Sequence, residues 1–409
     1  MLNFKTTIGF GSPNKSAKAS SHGSPLGSEE VKLTRSKLSW NEKPFQIPDK
    51  LLKIWRNSST KNLQIYKKTK SISHTTLSNK DIDKLFNKIE IDLKDFKSDQ
   101  ATRKSSEAIL HYFKKDHPIL GGSADLTGSN NTKGKQMSVL DSMNTAGQYI
   151  HYGVREHGMA AIMNGIAATK IYKTYSGTFL SFADYMKPSL RLAALMKINP
   201  IQVFTHDSIG LGEDGPTHQP IEQINMLRLI PNSYVFRPCD LKETIVCWRE
   251  ALKINDAPSF ICLSRQNLPQ ISNKKLDSKK FKGAYVIYGP KINNDITIIA
   301  TGSEVSLAVN VAVRIRGAGI IAKVISMPST SVFEKQSKTF KDNLLKSKSS
   351  ETFVIEAGST MYWNKYTKYE NIFGLDNFGA SAPGNEVFRK FGLTTETVSS
   401  KIIRKIRTK

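Results

Sequence analysis

The densest group of ionisable side chains lies in one glycine-rich segment, THDSIGLGEDGPTHQPIEQ, at residues 205–223. Residues 205–218 of this segment hold two histidines and three acidic residues: His206, Asp207, Glu213, Asp214 and His218. Histidine can bind phosphate or move protons near neutral pH, and glycines let a ligand approach the backbone. We therefore predict a binding or catalytic loop between a strand and a helix.

A second candidate is Glu156, in the segment YGVREHGMAA, where a short apolar run changes to a helical pattern. The helix dipole stabilises a carboxylate anion at a helix N-terminus, whereas burial favours the neutral acid. A catalytic acid and an ordinary glutamate at a helix start both remain open from the residues alone.

Three aromatic residues recur every third position in GTFLSFADY: Phe179, Phe182 and Tyr185. This spacing predicts that they line one face of a helix. They either pack in the core or form a platform for a flat ring.

Four further residues have the chemistry to hold an anionic substrate: Arg103, Ser129, Arg265 and His22. Arginine presents a rigid fork of donors that matches a phosphate group. Asp125 accompanies Ser129 in GGSADLTGSN, a second glycine-rich segment that is expected to follow a strand. Each of these residues, taken alone, is also compatible with a surface or structural role.

The elements that must position these residues alternate between apolar runs and helical patterns. Between residues 101 and 270 this alternation predicts a parallel sheet covered by helices, whose ligands bind at the carboxyl ends of the strands. A second alternation follows a Lys/Ser/Asn-rich segment at about 271–284. The predicted fold class is α/β, with two parallel or mixed-sheet α/β domains after a helical N-terminal linker. The predicted divisions are 1–100, 101–275 and 285–409.

Within the first of these divisions, the opening residues are predicted to form the end of a strand followed by a turn. Helices are expected over 28–38 and 78–96. The second helix is amphipathic, and the residues expected on its apolar face are Ile82, Leu85, Ile89 and Leu93.

Composition excludes several classes of function for this chain of 409 residues. The net charge of +25 comes mainly from lysines scattered among Ser and Asn, whereas a nucleic-acid interface needs clustered cations, so no specific nucleic-acid binding is predicted. No apolar run approaches the roughly 18 residues of a membrane span. The three cysteines lack metal-site spacing and are too few for a disulfide framework, which predicts a cytoplasmic protein.

Taken together, the segments resemble those of the transketolases, thiamine-diphosphate enzymes that move two-carbon ketol units between sugar phosphates. The matching strings run in family order: KTTIGFGSPNK, SHGSPLG, GGSADLT, YGVREHGMAAIMNGI, THDSIGLGEDGPTHQP, LSRQNLPQ, ATGSEVSLAV and FGASAPG. The stretch 50–100 resembles the family least. The resemblance implies a pyrimidine-binding domain, then a C-terminal domain, and ketol transfer within the pentose phosphate pathway.

For the cofactor, the resemblance assigns five residues. Glu156 matches the glutamate that hydrogen-bonds the pyrimidine ring of thiamine diphosphate and so takes part in catalysis. Phe179, Phe182 and Tyr185 match the aromatic pocket around that ring, and Asp125 matches a residue close to the cofactor.

For the substrate, a sugar phosphate, the resemblance assigns a further set. His218 and His22 match histidines near the reacting carbons that carry protons, and His22 also contacts substrate. Asp214 matches the residue that recognises a substrate hydroxyl. The residues that match the phosphate-binding group are Arg103, Ser129, His206 and Arg265.

The resemblance also implies that the chain begins inside the last part of the family's diphosphate-binding domain. The family's GDG metal–diphosphate motif does not occur here, so no metal ligand is assigned. Ligands for Mg²⁺ or Ca²⁺ are expected on a missing N-terminal domain. Because the family's cofactor lies between subunits, we expect a homo-oligomer, a separate N-terminal transketolase subunit as partner, or both.

Two alternatives remain. One is another thiamine-diphosphate ketol transferase, such as dihydroxyacetone synthase or deoxyxylulose-phosphate synthase, although GEDGPTHQP and the phosphate-binding set favour transketolase. The other is a truncated, non-catalytic remnant or subunit, against which the intact site residues argue.

Overall fold

A computed structural model of the chain describes residues 3–69, 77–272, 276–277, 280–346 and 351–408. The chain divides into two compact units, Met1–His74 and Thr75–Lys409. Part of the predicted linker at 271–284 lies outside the described residues.

The first unit contains two long helices, α1 (Ser28–Lys37) and α2 (Asp49–Thr69). The helix predicted over 28–38 is confirmed, whereas the strand predicted at the start of the chain is wrong for the described residues. Residues 3–18 form turns and irregular chain instead. This segment is held by α1, because the buried Glu30 carboxylate accepts hydrogen bonds from Ser12 and from both nitrogens of Asn14.

A six-stranded sheet forms the first half of the second unit. Its strands are β1 (Ile119–Ser123), β2 (Tyr149–His151), β3 (Lys173–Phe179), β4 (Pro200–Thr205), β5 (Tyr234–Phe236) and β6 (Ser259–Leu263). All pairings are parallel, in the order β2-β1-β3-β4-β6-β5. The associated helices are α3 (Asn79–Asp92), α4 (Thr102–Leu110), α5 (Thr127–Asn130), α6 (Glu156–Ala168), α7 (Ala183–Met196), α8 (Gln223–Arg228) and α9 (Leu241–Lys253).

Helices cover both faces of this sheet, as the continuous apolar strands require. Side chains alternate along each strand, so neighbours enter different cores. In β4, Val203 packs into the core beneath α3, α4 and α9, whereas Phe204 packs into the core beneath α6, α7 and α8. In β6, Ile261 and Cys262 divide in the same way.

The helix predicted over 78–96 corresponds to α3, which Ser78 caps by a reciprocal hydrogen-bond pair with Asp81. Its buried residues are Ile82, Phe86 and Ile89. The predicted apolar face is therefore displaced, because Phe86 takes the fully buried position that was expected for Leu85.

The second half of the second unit is built on a five-stranded sheet. Its strands are β7 (Tyr285–Tyr288), β8 (Ile296–Ala300), β9 (Ala322–Ser326), β10 (Glu351–Ile355) and β11 (Ile372–Phe373), in the order β11-β10-β8-β9-β7. The β7–β9 pair is antiparallel and the others are parallel. The helices are α10 (Glu304–Arg316), α11 (Thr330–Glu334), α12 (Lys338–Leu345), α13 (Gly384–Lys390) and α14 (Thr395–Arg407). The predicted α/β class, with a parallel and a mixed sheet, is confirmed.

Across the described residues, no helix has the length and apolar character needed to cross a membrane. Cys239, Cys247 and Cys262 are free thiols inside the core, and burial raises the pKa of each of them. The cytoplasmic location stays a prediction.

Candidate active site

The candidate residues gather at the carboxyl edge of the six-stranded sheet. Strands β1, β3, β4 and β6 are consecutive neighbours. The last residues of β3, β4 and β6 are in register, since Thr205 pairs with both Phe179 and Leu263, whereas β1 ends at Ser123, opposite Gly177. The loops that follow these strands carry most of the predicted site: Asp125, Ser129, Phe182, His206 and Arg265.

Glu156 is the first residue of α6, which follows the edge strand β2 and packs against β3 and α7. Only 9% of the residue is exposed. Within the described part of the chain, the carboxylate has no hydrogen-bond or ion-pair partner. A carboxylate that no protein donor engages is free to accept a hydrogen bond from a ligand, so Glu156 has the chemistry to accept a proton donor from a bound ring.

The aromatic residues form a platform, although not on a single helix. Phe179 ends β3, Phe182 lies in a short 3₁₀ turn and Tyr185 lies in α7, so the predicted common helical face is wrong. The rings still adjoin, because the turn brings Phe182 parallel to Phe179, with centroids 5.6 Å apart. The Tyr185 ring follows at 5.9 Å from Phe182.

Two histidines of the glycine-rich segment meet this platform. The His206 ring stacks on Phe179 with centroids 3.7 Å apart. The His218 ring stands edge-on to Phe182 at 5.6 Å. Residues separated by a whole strand and helix in sequence are thus combined in one aromatic cluster.

Two arginines, Arg103 and Arg265, lie close enough to His206 at the platform to act on its charge. Burial, followed by the charges of Arg103, Arg265 and His218, lowers the pKa of His206 to about 3. Burial and the nearby Arg265 also lower the pKa of Arg103. In the described residues neither arginine has an ion-pair partner. The Arg103 Nη1 donates to the Ser129 carbonyl oxygen, but its buried Nε has no partner. This arrangement is suited to an anion.

Two residues that the sequence did not single out support His206 from behind. The Thr205 hydroxyl lies 2.8 Å from His206 Nδ1 and donates to Asn130 Oδ1 over 2.7 Å. Thr205 directly precedes the histidine at the end of an apolar run, so the sequence itself could have indicated it. Asn130 had no comparable signal, because only the β1–β3–β4 pairing brings it there.

The Asp207 side chain lies in a buried ion-pair network, apart from the rest of its segment. Its carboxylate receives a hydrogen bond from Arg237 Nε over 2.8 Å, and Arg237 also pairs with Glu304 and Glu356. The Glu356 carboxylate in turn pairs with Arg228 over 2.6 Å. Asp207, which lies in the glycine-rich segment but was not assigned a role, therefore belongs to this ion-pair network.

Two predicted residues of the second unit are not joined to the cluster by any interaction that the structure describes. Asp214 and Asp125 are exposed on loops after β4 and β1, and Asp125 has a backbone φ of 61°. His22 is an exposed residue of the first unit. Their roles stay predictions. Within the described ranges, no three His, Cys, Asp or Glu residues are grouped to hold a metal ion.

Comparison with known families accounts for this arrangement. Residues 98–270 match the model of the transketolase pyrimidine binding domain, and 283–394 match the transketolase-like C-terminal domain. Residues 1–85 match the transketolase thiamine diphosphate binding domain. The chain belongs to the transketolase family.

Individual transketolases are similar over nearly all of this chain. Transketolase 2 of Aliivibrio fischeri is 41% identical, and the match covers 96% of this chain and 62% of that protein. The solved transketolase of Leishmania mexicana has a TM-score of 0.84 at 35% identity, covering 96% of this chain and 60% of that one. A Pichia stipitis transketolase, solved in complex with sedoheptulose 7-phosphate, has a TM-score of 0.83 at 36% identity, with 98% and 62% covered. The chain thus spans about 62% of the length of its curated transketolase relatives.

These matches correct two expectations about the N-terminal part. Because residues 1–85 themselves match the thiamine diphosphate binding domain of transketolases, the prediction that the metal ligands lie on a missing N-terminal domain is not borne out. The predicted separate N-terminal subunit has no support either. Thiamine diphosphate as the family cofactor is supported by the same match, whereas no comparison names a metal.

Proposed function

We propose that this protein transfers a two-carbon ketol unit from a ketose phosphate to an aldose phosphate, as transketolases of the pentose phosphate pathway do. The observation that carries the proposal is the set of unpartnered groups at one sheet edge, namely the Glu156 carboxylate, the aromatic platform and the Arg103–Arg265 pair. The sugar phosphate in the Pichia stipitis complex supports the substrate class.

In this proposal the platform and Glu156 receive the cofactor. Glu156 would accept a hydrogen bond from the pyrimidine ring, Phe179, Phe182 and Tyr185 would form the aromatic pocket around that ring, and Asp125 would lie near the cofactor. When bound, thiamine diphosphate supplies the electron sink that allows a carbon–carbon bond beside a carbonyl to break. A divalent cation, Mg²⁺ or Ca²⁺, would neutralise the diphosphate, and no residue of this chain is assigned to it.

The remaining residues handle the sugar phosphate. His218, edge-on to Phe182, and His22 carry protons to and from the reacting carbons and oxygens. Asp214 accepts a hydrogen bond from a substrate hydroxyl, and His22 contacts the substrate. The phosphate group is held by four residues: Arg103, Ser129, His206 and Arg265. We also propose a homo-oligomer and the domain divisions predicted above.

The test is turnover of the purified full protein with xylulose 5-phosphate, ribose 5-phosphate, thiamine diphosphate and Mg²⁺, measured as formation of sedoheptulose 7-phosphate. Replacing ribose 5-phosphate by formaldehyde, or offering pyruvate with glyceraldehyde 3-phosphate, separates transketolase from the related transferases. Folded protein that turns over none of these substrates would contradict the proposal and indicate a non-catalytic member.

The variant Glu156→Ala isolates the residue at the centre of the proposal. We expect it to abolish turnover while the unfolding midpoint stays near that of the parent, because an unpartnered carboxylate contributes little to the fold. Glu386→Ala is the matched control, since Glu386 is an exposed glutamate in the first turn of α13. Near-normal turnover of Glu156→Ala would remove Glu156 from the mechanism.

A further inference from the structure

A chain of buried hydrogen bonds runs behind His206 across three strands. The Ser123 hydroxyl donates to the Gly177 carbonyl oxygen over 3.1 Å. The Asn130 Nδ2 lies 3.3 Å from that hydroxyl oxygen, and Thr205 Oγ1 lies 2.7 Å from Asn130 Oδ1. The last link joins Thr205 Oγ1 to His206 Nδ1 over 2.8 Å. All five residues of this hydrogen-bond series are buried.

The donor and acceptor of each hydrogen bond in this series are fixed, because the series starts at the Gly177 carbonyl oxygen, which can only accept. A hydroxyl carries one hydrogen, so Ser123 donates to Gly177 and accepts from the amide nitrogen of Asn130. The amide oxygen then faces Thr205, which donates its one hydrogen there. Thr205 is left with lone pairs toward His206, so the histidine must donate from Nδ1.

We propose that Asn130 and Thr205 are positioning residues that hold the neutral His206 ring with its hydrogen on Nδ1, so that a phosphorylated substrate binds together with one additional proton, located between Nε2 and the phosphate. The inference rests on the proposed phosphate role of His206. In this tautomer Nε2 has a lone pair and no hydrogen, and within the described residues no hydrogen bond reaches it.

The additional proton follows from the charges around the ring. A phosphate dianion and the Nε2 lone pair repel each other at hydrogen-bond distance, so a hydrogen must lie between them. The charged or titratable groups that face His206 are Arg103 on α4, Arg265 after β6 and His218 on the glycine-rich loop. All of them disfavour a second proton on the ring until an anion arrives.

A bound phosphate reverses that balance because its charge favours a cationic neighbour. The proton comes from solvent and rests either on Nε2 or on the phosphate, whose own second pKa is about 6. Asp207, the next residue, cannot supply the negative charge that favours this proton, because its carboxylate is paired with Arg237.

The tautomer is measured directly by ¹⁵N NMR of the histidine side chains in the labelled full protein, with His206→Asn to assign the signal. We expect protonated Nδ1 and bare Nε2 at pH 7.5 in the parent and in Thr205→Ser, which keeps the hydroxyl. Thr205→Val keeps the volume without the acceptor and is expected to shift the hydrogen toward Nε2. A parent His206 protonated on Nε2, or a Thr205→Val signal identical to the parent, would overturn the positioning role.

Proton uptake is measured by titration calorimetry of ribose 5-phosphate in buffers of different ionisation enthalpy, with ribose as the control. For the parent and Thr205→Ser we expect uptake and an affinity that falls up to about tenfold from pH 7 to pH 8. For Thr205→Val the fall should stay within about twofold. Binding by the parent without uptake would overturn the proton linkage.

The two measurements also separate this inference from the proposed function. A protein without turnover that still binds ribose 5-phosphate with proton uptake keeps the inference and loses the proposed activity. A protein that binds ribose but not ribose 5-phosphate refutes both the phosphate role and the proton linkage, while the NMR measurement still decides whether Asn130 and Thr205 set the tautomer.

Discussion

Two groups of arginines lie on either side of one peptide bond, between His206 and Asp207. On the Asp207 side, the Arg228 and Arg237 side chains are 3% and 1% exposed, and each is paired with a buried carboxylate. On the His206 side, Arg103 and Arg265 have no ion-pair partner within the described residues. The first group needs no anion from solution, because its two arginines face three carboxylates, those of Asp207, Glu304 and Glu356. The second lacks a counter-ion, so it has the chemistry to take an anion from solution.

The pKa directions express the same contrast. Burial alone would raise the pKa of Glu356, but the nearby Arg228 and Arg237 overcome it and hold the pKa below the ordinary value. On the other side, burial and neighbouring cations act together on His206 and lower its pKa. Opposite charges outweigh burial at Glu356, whereas like charges add to the effect of burial at His206.

The largest expected effect comes from breaking the paired group. Arg237→Ala leaves Asp207, Glu304 and Glu356 buried with a lost counter-charge, so we expect the free energy of unfolding to fall by about 3–5 kcal/mol. Urea denaturation measures this. The matched control is Arg265→Ala, which should stay within about 0.5 kcal/mol of the parent. A similar loss in both variants would remove the distinction between the two groups.

Arg265→Ala should instead act on the substrate. A charged hydrogen bond is worth about 1.5–3 kcal/mol, so the KM for ribose 5-phosphate should rise about 10–100-fold with kcat little changed. Steady-state kinetics with an unphosphorylated aldose acceptor provide the control, because its KM should not move. An unchanged KM for ribose 5-phosphate would count against the phosphate role.

The unpaired group should also make the protein sensitive to acid. The pKa of His206 is about 3 in the folded protein against an ordinary 6.5, so the unfolded chain binds the extra proton first as the pH falls. Stability should therefore decrease below pH 6.5, by up to about 1.4 kcal/mol per pH unit from this residue.

The variant His206→Asn isolates that contribution, since asparagine tolerates the φ of 60° at this position. Denaturation at pH 7 and pH 5.5 should show a smaller difference in the variant than in the parent. Inorganic phosphate should reduce the parent's loss by supplying the missing charge. Equal pH dependence in the two proteins would show that His206 is not held neutral by its surroundings.

The smallest effect tests whether pairing alone, without burial, stabilises the fold. Arg314 and Glu396 form an ion pair of 3.5 Å between α10 and α14, with side chains 52% and 67% exposed. Arg314→Ala should change the free energy of unfolding by less than about 0.5 kcal/mol. A larger loss in urea denaturation would mean that exposure does not separate this pair from the Arg237 group.

Local patterns in the sequence predicted much of the site. The alternation of apolar runs and helical patterns placed the glycine-rich segments after strands, and parallel pairing then brings Asp125, Phe182, His206 and Arg265 to one edge. The aromatic triplet shows the limit of such reasoning. A spacing of three residues fits a helix, yet Phe179 ends a strand and Phe182 lies in a 3₁₀ turn.

Short-range patterns and motifs are enough to predict the α/β class, the loops that carry the candidate residues and the transketolase family, because each of these depends on residues that are close together along the chain. Tertiary structure alone decided which charges are paired. Arg237 meets Glu304 across 67 positions, and Thr205 meets Asn130 across 75. Adjacent residues such as His206 and Asp207 therefore serve opposite purposes, because the backbone leaves β4 at His206 with a φ of 60° and directs the two side chains to different neighbours.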